Sequence, residues 1–199
     1  MKKAIYSICI VSGLLFSGCA TNPAVSDQIR DKSIEQAAVF EELKDDASSD
    51  RDSVLIIRAT MKTVKEGFYP LESRSALHGK NEYPFVFNIG GQGVVWIAKG
   101  LPDKQPDHID EKRNAEGGEG VKYTLEKRIR IKPGAYKIFL SLAEEKLRKE
   151  LDITLAGTGP GILEFKPVYR RDRGKGPMFY EGLSGFEVFL DGHKAGPVN

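Results

Sequence analysis

The side chains able to do chemistry are spread thinly along this chain. The three histidines, His78, His108 and His193, stand at least 30 residues apart. None belongs to an H-x-x-x-H or H-E-x-x-H pattern that would set two ligands on one helix face. A zinc site would need carboxylates converging from distant segments, so no metal and no cofactor is expected, and His78 and His108 read as solvated loop residues. Asp103, Asp107, Asp110 and Glu111 offer the hard oxygens that calcium takes, but Lys104, Lys112 and Arg113 are interleaved with them and the spacing is not that of an EF-hand loop. Gly182-Leu183-Ser184-Gly185 lacks the G-x-S-x-G of a nucleophile elbow. Glu164 and Glu187 alternate with apolar neighbours as solvent-facing strand residues do, and do not read as an acid/base pair. Gly90-Gly91-Gln92-Gly93 lacks the Lys-Ser/Thr end of a phosphate loop and reads as a hairpin turn. No catalytic residue is assigned, and the chain is read as non-enzymatic.

Two features suit recognition better. Arg170, Arg171, Arg173 and Lys175 form a basic, glycine-containing loop flanked by Tyr169 and by Phe179-Tyr180. Guanidinium groups pair bidentately with carboxylate or phosphate, and a tyrosine adds a flat surface beside them. Lipopolysaccharide phosphates, peptidoglycan carboxylates or an acidic protein patch would fit. The second feature is Trp96 with Tyr83, which could line a sugar-stacking face. A tryptophan in a strand also has an obvious alternative place, the core.

The elements that must position these residues are strands. Val121, Tyr123, Leu125, Ile129 and Ile131 share one parity, with charged residues on the other, and after Pro133-Gly134 the alternation resumes through Tyr136, Ile138, Leu140 and Leu142. A period of two marks a strand with one wet face, and Pro-Gly marks the turn. Val54–Thr60 reads as a strand, Tyr83–Ile89 and Val94–Ala98 as a hairpin, and Leu151–Leu155, Leu163–Tyr169 and Phe186–Leu190 as further strands. Gly100–Gly120, rich in Gly, Pro and charge, reads as a mobile surface loop. Ser33 to Ala47 carries a weak helical stripe opened by a Ser33/Gln36 capping box, and predicts one short amphipathic helix. The strands lack the spacing of βαβ crossovers. The expected fold is therefore all-β: an antiparallel β-sandwich, or alternatively a half-open barrel, with one short N-terminal helix.

The N-terminus says where such a domain would work. Met1-Lys2-Lys3 is positive, and Ala4–Phe16 is apolar but short for a membrane span. Leu15-Phe16-Ser17-Gly18-Cys19 resembles a bacterial lipobox, with Phe16 where Leu or Val is more usual. The resemblance implies a signal peptide over 1–18 and palmitate-type acylation of Cys19. Ala20-Thr21 carries no Asp inner-membrane retention signal, so an outer-membrane, periplasm-facing lipoprotein of a Gram-negative envelope is expected. The rest of the chain would then have no thiol, because the only other cysteine is Cys9. Residues 19–52 read as a lipidated tether with the short helix, and 53–199 as one β-sandwich domain large enough for its own core. The tether from Ala20 to Asp52 holds nine acidic and four basic residues, and the remainder 19 acidic and 24 basic. That asymmetry falls short of a nucleic-acid footprint, so no nucleic-acid partner is expected.

Ile131–Leu140, with its Pro-Gly-Ala-Tyr core, resembles the turn-and-strand signature of PEGA-like and transthyretin-like accessory domains. Phe186–Gly192, ending in Asp-Gly, resembles their other signature, although here it comes last. The resemblance implies a non-catalytic envelope sandwich with Tyr136 in its core. Together these readings point to a lipid-anchored cell-envelope interaction or assembly module with another envelope protein as partner, or alternatively to a carbohydrate- or peptidoglycan-binding module.

Overall fold

The computed structural model describes residues 38–43, 53–156, 159–171 and 177–196. They form an all-β fold of twelve strands: β1 (Phe40–Glu42), β2 (Ser53–Thr63), β3 (Glu82–Ile89), β4 (Gln92–Gln105), β5 (His108–Ile109), β6 (Lys112–Arg113), β7 (Gly118–Ile131), β8 (Gly134–Leu142), β9 (Leu147–Leu155), β10 (Pro160–Tyr169), β11 (Leu183–Leu190) and β12 (His193–Ala195). The main sheet runs β12-β11-β10-β2-β7-β4-β3-β8-β9, with β1 added on β7, while β5 and β6 form a separate ribbon. β9 comes alongside β11 with no ladder between them among the described residues, so the sheet curls into a nearly closed barrel. Of the two expected architectures, the half-open barrel is the closer description.

The alternation read in the sequence is what fills this barrel. Leu55, Ile57, Ala59 and Met61 of β2 and Val121, Tyr123, Leu125, Ile129 and Ile131 of β7 all point inward and are buried, joined by Ile138, Leu140 and Leu142 of β8. β3 and β4 pair as the expected hairpin, closed at Ile89↔Gln92 by Gly90-Gly91, both at positive φ as a two-residue turn requires. One neighbour relation was not expected. β10 lies parallel to β2, from Pro160↔Val54 to Phe165↔Ala59. The long return that a parallel pair demands is supplied by the excursion from β3 through β9 rather than by a helix.

β4 holds the barrel together by changing partners. Glu82–Ile89 pairs with its first half, and its second half, Gly100–Gln105, pairs with Tyr123–Gly118 of β7. The corner falls at Gly100, where a Cβ would stand 2.6 Å from the Lys80 carbonyl oxygen and 2.7 Å from Tyr123 Cε1. Only glycine lets the chain turn there so close to other backbone. Gly100–Gly120 is therefore not the surface loop that its composition suggested. It completes β4, makes the β5–β6 ribbon and opens β7. Polar residues dominate because these strand ends lie at a wet margin.

Where β4 leaves, the lower part of β7 is short of a neighbour, and the N-terminal segment takes the place. The described part of the segment expected to be helical, 38–43, is extended, with Phe40, Glu41 and Glu42 paired to Ile131, Arg130 and Ile129. On its other edge the Gln92 side chain substitutes for a strand. Gln92 Oε1 accepts from the Val39 and Phe40 N–H groups at 2.7 and 3.0 Å, and Nε2 donates to the Phe40 carbonyl at 3.2 Å. Phe40 is buried against Trp96, and Trp96 Nε1 donates to Glu42 at 2.9 Å. A weak local helix stripe loses here to an unsatisfied strand edge, since the backbone groups of that edge must be paired somewhere.

Tyr136 also departs from what the transthyretin-like resemblance implied. It lies half-buried at the barrel margin, its hydroxyl donating to the Lys132 carbonyl at 2.8 Å, and does not enter the core.

Because Phe40 fills the wedge between β4 and β7, Phe40→Ala is expected to lower unfolding free energy by about 3 kcal/mol. A chain starting at Ser53 should lose more. Urea unfolding checks this, and an unchanged midpoint for the alanine variant would show that β1 carries no part of the core.

Candidate functional site

The upper end of the barrel is where β2, β4 and β10 finish and β7 and β11 begin. It is capped by the 64–81 segment, by the β8–β9 turn and by a 3-10 turn over Met178–Glu181. Its polar groups come in two clusters on either side of a small enclosed space lined by Lys62, Tyr69, His78, Glu145 and Phe179, among others.

Lys62 stands near the end of β2 with its side chain 0% exposed. Its ammonium donates to the carbonyls of Glu116 and Gly118, both at 2.8 Å, lies 2.7 Å from Asp103 Oδ2, and faces the Phe179 ring 4.8 Å from the centroid. A buried cation is tolerated only when it is compensated, and here two carbonyls accept N–H bonds while the Asp103 carboxylate supplies the opposite charge. Burial pushes the Asp103 carboxyl up, but hydrogen bonds from Lys62 and Gln105 outweigh it and hold the group below the usual range. The network continues through Tyr169. Its hydroxyl accepts the backbone N–H of Lys62 at 2.8 Å and donates to Glu116 Oε1 at 2.9 Å, while Lys122 holds Glu116 Oε2 at 2.8 Å. Burial raises the Tyr169 phenol far above its ordinary range, so it stays a neutral donor.

The second cluster is a clamp. His78 Nδ1 meets Glu72 and Nε2 meets Glu145 Oε1 at 2.8 Å. Carboxylates only accept, so both ring nitrogens must carry protons and the ring is an imidazolium. The hydrogen bond to Glu145, with that to Glu72, lifts the His78 pKa to about 9 against the opposing effect of burial. The clamp ties the 64–81 segment to the β8–β9 turn across the mouth of the barrel. With each nitrogen already held by a carboxylate, the trio is an ion-pair staple and not a metal set. Among the described residues no three His, Cys, Asp or Glu side chains are placed so that they could hold a metal ion together.

Several sequence-assigned recognition residues lie elsewhere than on a surface. Trp96 and Tyr83 are 3% and 0% exposed. Trp96 packs on Phe87 and Phe40, and Tyr83 on Tyr123 and Phe85, so neither ring can stack on a sugar. The cause is parity, because both fall on inward-facing strand positions. Tyr169 is likewise buried in the polar network rather than flanking the basic loop. Tyr180 does reach the rim, half-buried, and Arg170 and Arg171 are exposed beside it, while Arg173 and Lys175 lie outside the described residues. His78, read as a solvated loop residue, is instead doubly bonded and mostly buried, whereas His108 and His193 are exposed.

Sequence reasoning missed Lys62, Glu72 and Glu145 altogether. The one signal available was Lys62 itself, a charged residue directly after the inward-facing Leu55, Ile57, Ala59 and Met61.

His78 stabilises the fold while it is protonated. That contribution is complete below its unfolded value near 6.5 and is lost as pH rises through about 9. The stability gap between the parent chain and His78→Gln should therefore be widest at pH 6 and shrink by pH 10. A gap that does not vary with pH would rule out the imidazolium as its source. Lys62→Met leaves a buried carboxylate and two carbonyls without their cation and is expected to cost about 3–5 kcal/mol in chemical denaturation. A loss under about 1 kcal/mol would mean that water replaces the ammonium.

No family model, no curated protein and no solved structure matches this chain.

Proposed function

We propose that this chain is a non-enzymatic, lipid-anchored interaction module of the cell envelope, held through Cys19 on the periplasmic face of an outer membrane and working by presenting the upper end of its barrel to a partner. The observation that carries the reading is the polarity of the barrel. The chain enters β1 beside Ile131, at the lower end, whereas Phe68, Tyr69, Leu71, Arg170 and Arg171 are exposed at the upper end. A tether entering at one end and an apolar, basic rim at the other suit a spacer that carries a binding surface. Binding rather than catalysis is supported by the commitments of the ionisable groups beneath the rim. The Lys62 ammonium and both nitrogens of His78 already have partners within the fold. The anchor itself rests on Leu15–Cys19, outside the described residues.

The expected partner is another envelope component that accepts exposed rings and guanidinium groups. A carbohydrate- or peptidoglycan-binding module remains the second reading. It would have to use Tyr69 and Tyr180, because Trp96 and Tyr83 belong to the core.

Expressed at full length in a Gram-negative host, the chain should take up labelled palmitate and sediment with outer membranes, and Cys19→Ser should do neither. A full-length chain that takes up no label and fractionates as the serine variant does would overturn the anchored reading.

A further inference from the structure

The rim has a specific shape. Within the 64–81 segment, Phe68 is 45%, Tyr69 38% and Leu71 99% exposed. Phe68 and Leu71 are exposed at the barrel mouth, and Tyr69 stands between them and the space beneath, where it is part of the lining. Their backing is rigid. Phe68 lies 5.0 Å from the Tyr69 ring and 4.6 Å from Tyr180, and Tyr180 lies 4.7 Å from the buried Phe179. The Tyr69 hydroxyl donates to the Tyr180 carbonyl, and the His78 clamp fastens the base of the segment. An apolar tip in water needs an explanation, because none of the described residues covers Leu71.

Beside the tip opens a cleft of about 210 Å³, lined by Tyr69, Pro70, Ser73, Arg74, His78 and Lys80 among others. Its two carboxylates are matched, Glu72 by His78 and Glu66 by Lys80. Arg74 is exposed at the cleft. On the two segments that carry the rim rings, 64–81 and the described part of 170–181, the cations Lys65, Arg74, Lys80, Arg170 and Arg171 stand against Glu66, Glu72 and Glu181. Protonated His78 is a sixth cation, and it also faces Glu145 of the β8–β9 turn. Lys65 is paired with Glu119 and Lys80 with Glu66, and Glu181, Glu72 and Glu145 act on the Tyr69 phenol, so the basic margin of the tip is supplied by the exposed guanidinium groups of Arg74, Arg170 and Arg171. An aromatic belt with an aliphatic tip and a basic margin is the combination that settles in a headgroup layer, with the rings at the interface and the cations on lipid phosphates. A convex tip needs no complementary pocket there, as it would on a folded protein partner.

Reach is sufficient. Ala20 to Ala37 is 18 residues, about 60 Å when extended. The 14 residues of β7 span about 45 Å along the strand, and strand tilt makes the barrel axis shorter still. A barrel tethered at its lower end can therefore turn its upper end onto the bilayer that holds the tether.

We propose that Phe68, Tyr69 and Leu71 enter the interface of an anionic phospholipid bilayer, with Arg74 in the adjoining cleft taking a headgroup phosphate. The proposal rests on the reading of the upper end as the binding end, and it names the surface bound there.

The test uses the chain from Ala20 to Asn199, which contains every described strand and lacks Cys19, so that no lipid anchor contributes. Co-sedimentation is measured with phosphatidylcholine vesicles and with mixed phosphatidylcholine/phosphatidylglycerol vesicles. Binding is expected only to the mixed vesicles and should weaken with salt. Leu71→Ser is expected to reduce it roughly tenfold or more, and Arg74→Gln about fivefold. Both positions are exposed, so thermal melting should stay that of the parent. In a second arm, Leu71→Trp should show a blue-shifted emission and quenching by brominated lipid, against a constant background from the buried Trp96. Absence of binding to mixed vesicles, equal binding to neutral ones, or binding indifferent to Leu71→Ser would each overturn the proposal and leave the rim to a protein partner. None of these results touches Cys19, whose role is read separately from palmitate uptake.

Discussion

The rest of the molecule depends on the pairing of β7. This strand has one continuous partner, β2, along Val121–Ile131, and two successive partners on its other edge, β4 above and β1 below. No backbone donor or acceptor in the middle of a sheet can be left without a partner at acceptable cost. Once β4 turns away at Gly100 to join β3, something must cover the lower edge of β7. The N-terminal segment does so with three residues of ladder, one buried phenylalanine and the borrowed amide of Gln92. The departure of β4 is also what curls the sheet. Its two halves hydrogen-bond to different neighbours, so a single strand spans both walls of the barrel.

The upper end answers a different problem. Strand ends, a buried lysine and several carboxylates meet in a space with little water, and a charge removed from solvent is tolerated only when it is compensated. Lys62 is compensated by hydrogen bonds to two carbonyls and by the charge of Asp103, and Tyr169 links that group to Glu116 and Lys122. The His78 staple adds a second set of charge-assisted bonds across the mouth. These polar contacts stand beside the buried Val64, Ala76, Phe179 and Leu183 at the same end. The segment above them is consequently fixed in place, so the rings of Phe68 and Tyr69 are displayed on a stiff support. Preorganised side chains lose less entropy on binding than mobile ones.

On the proposed reading, a barrel whose chain enters at the lower end and whose exposed rim lies at the upper end suits a carrier of a binding surface. The interior chemistry is consistent with that role, because its acids and bases serve one another within the fold. The exposed apolar and basic side chains of the rim are the groups that await something outside the molecule.

Local pattern was enough to recognise the central strands, a hairpin turn within Gly90–Gly93 and the inward parity of β7 and β8, because a two-residue period of in and out is written directly into residue order. The same pattern misled where two faces had to be told apart. Trp96 and Tyr83 sit on a regular alternation, and only the closed barrel decides that their side of the strand is the inside. The segment around Phe40 carries a stripe compatible with a helix, and its fate was settled by an edge of β7 some ninety residues away in the chain. The parallel contact of β10 with β2 and the pairing of His78 with Glu145 are likewise long-range. The sequence by itself determined which residues alternate and where the chain turns, since those are properties of neighbours. Tertiary structure alone decided which charges share a buried site and which rings stay in water. Both depend on groups brought together by sheet closure, and their spacing along the chain carries no trace of it.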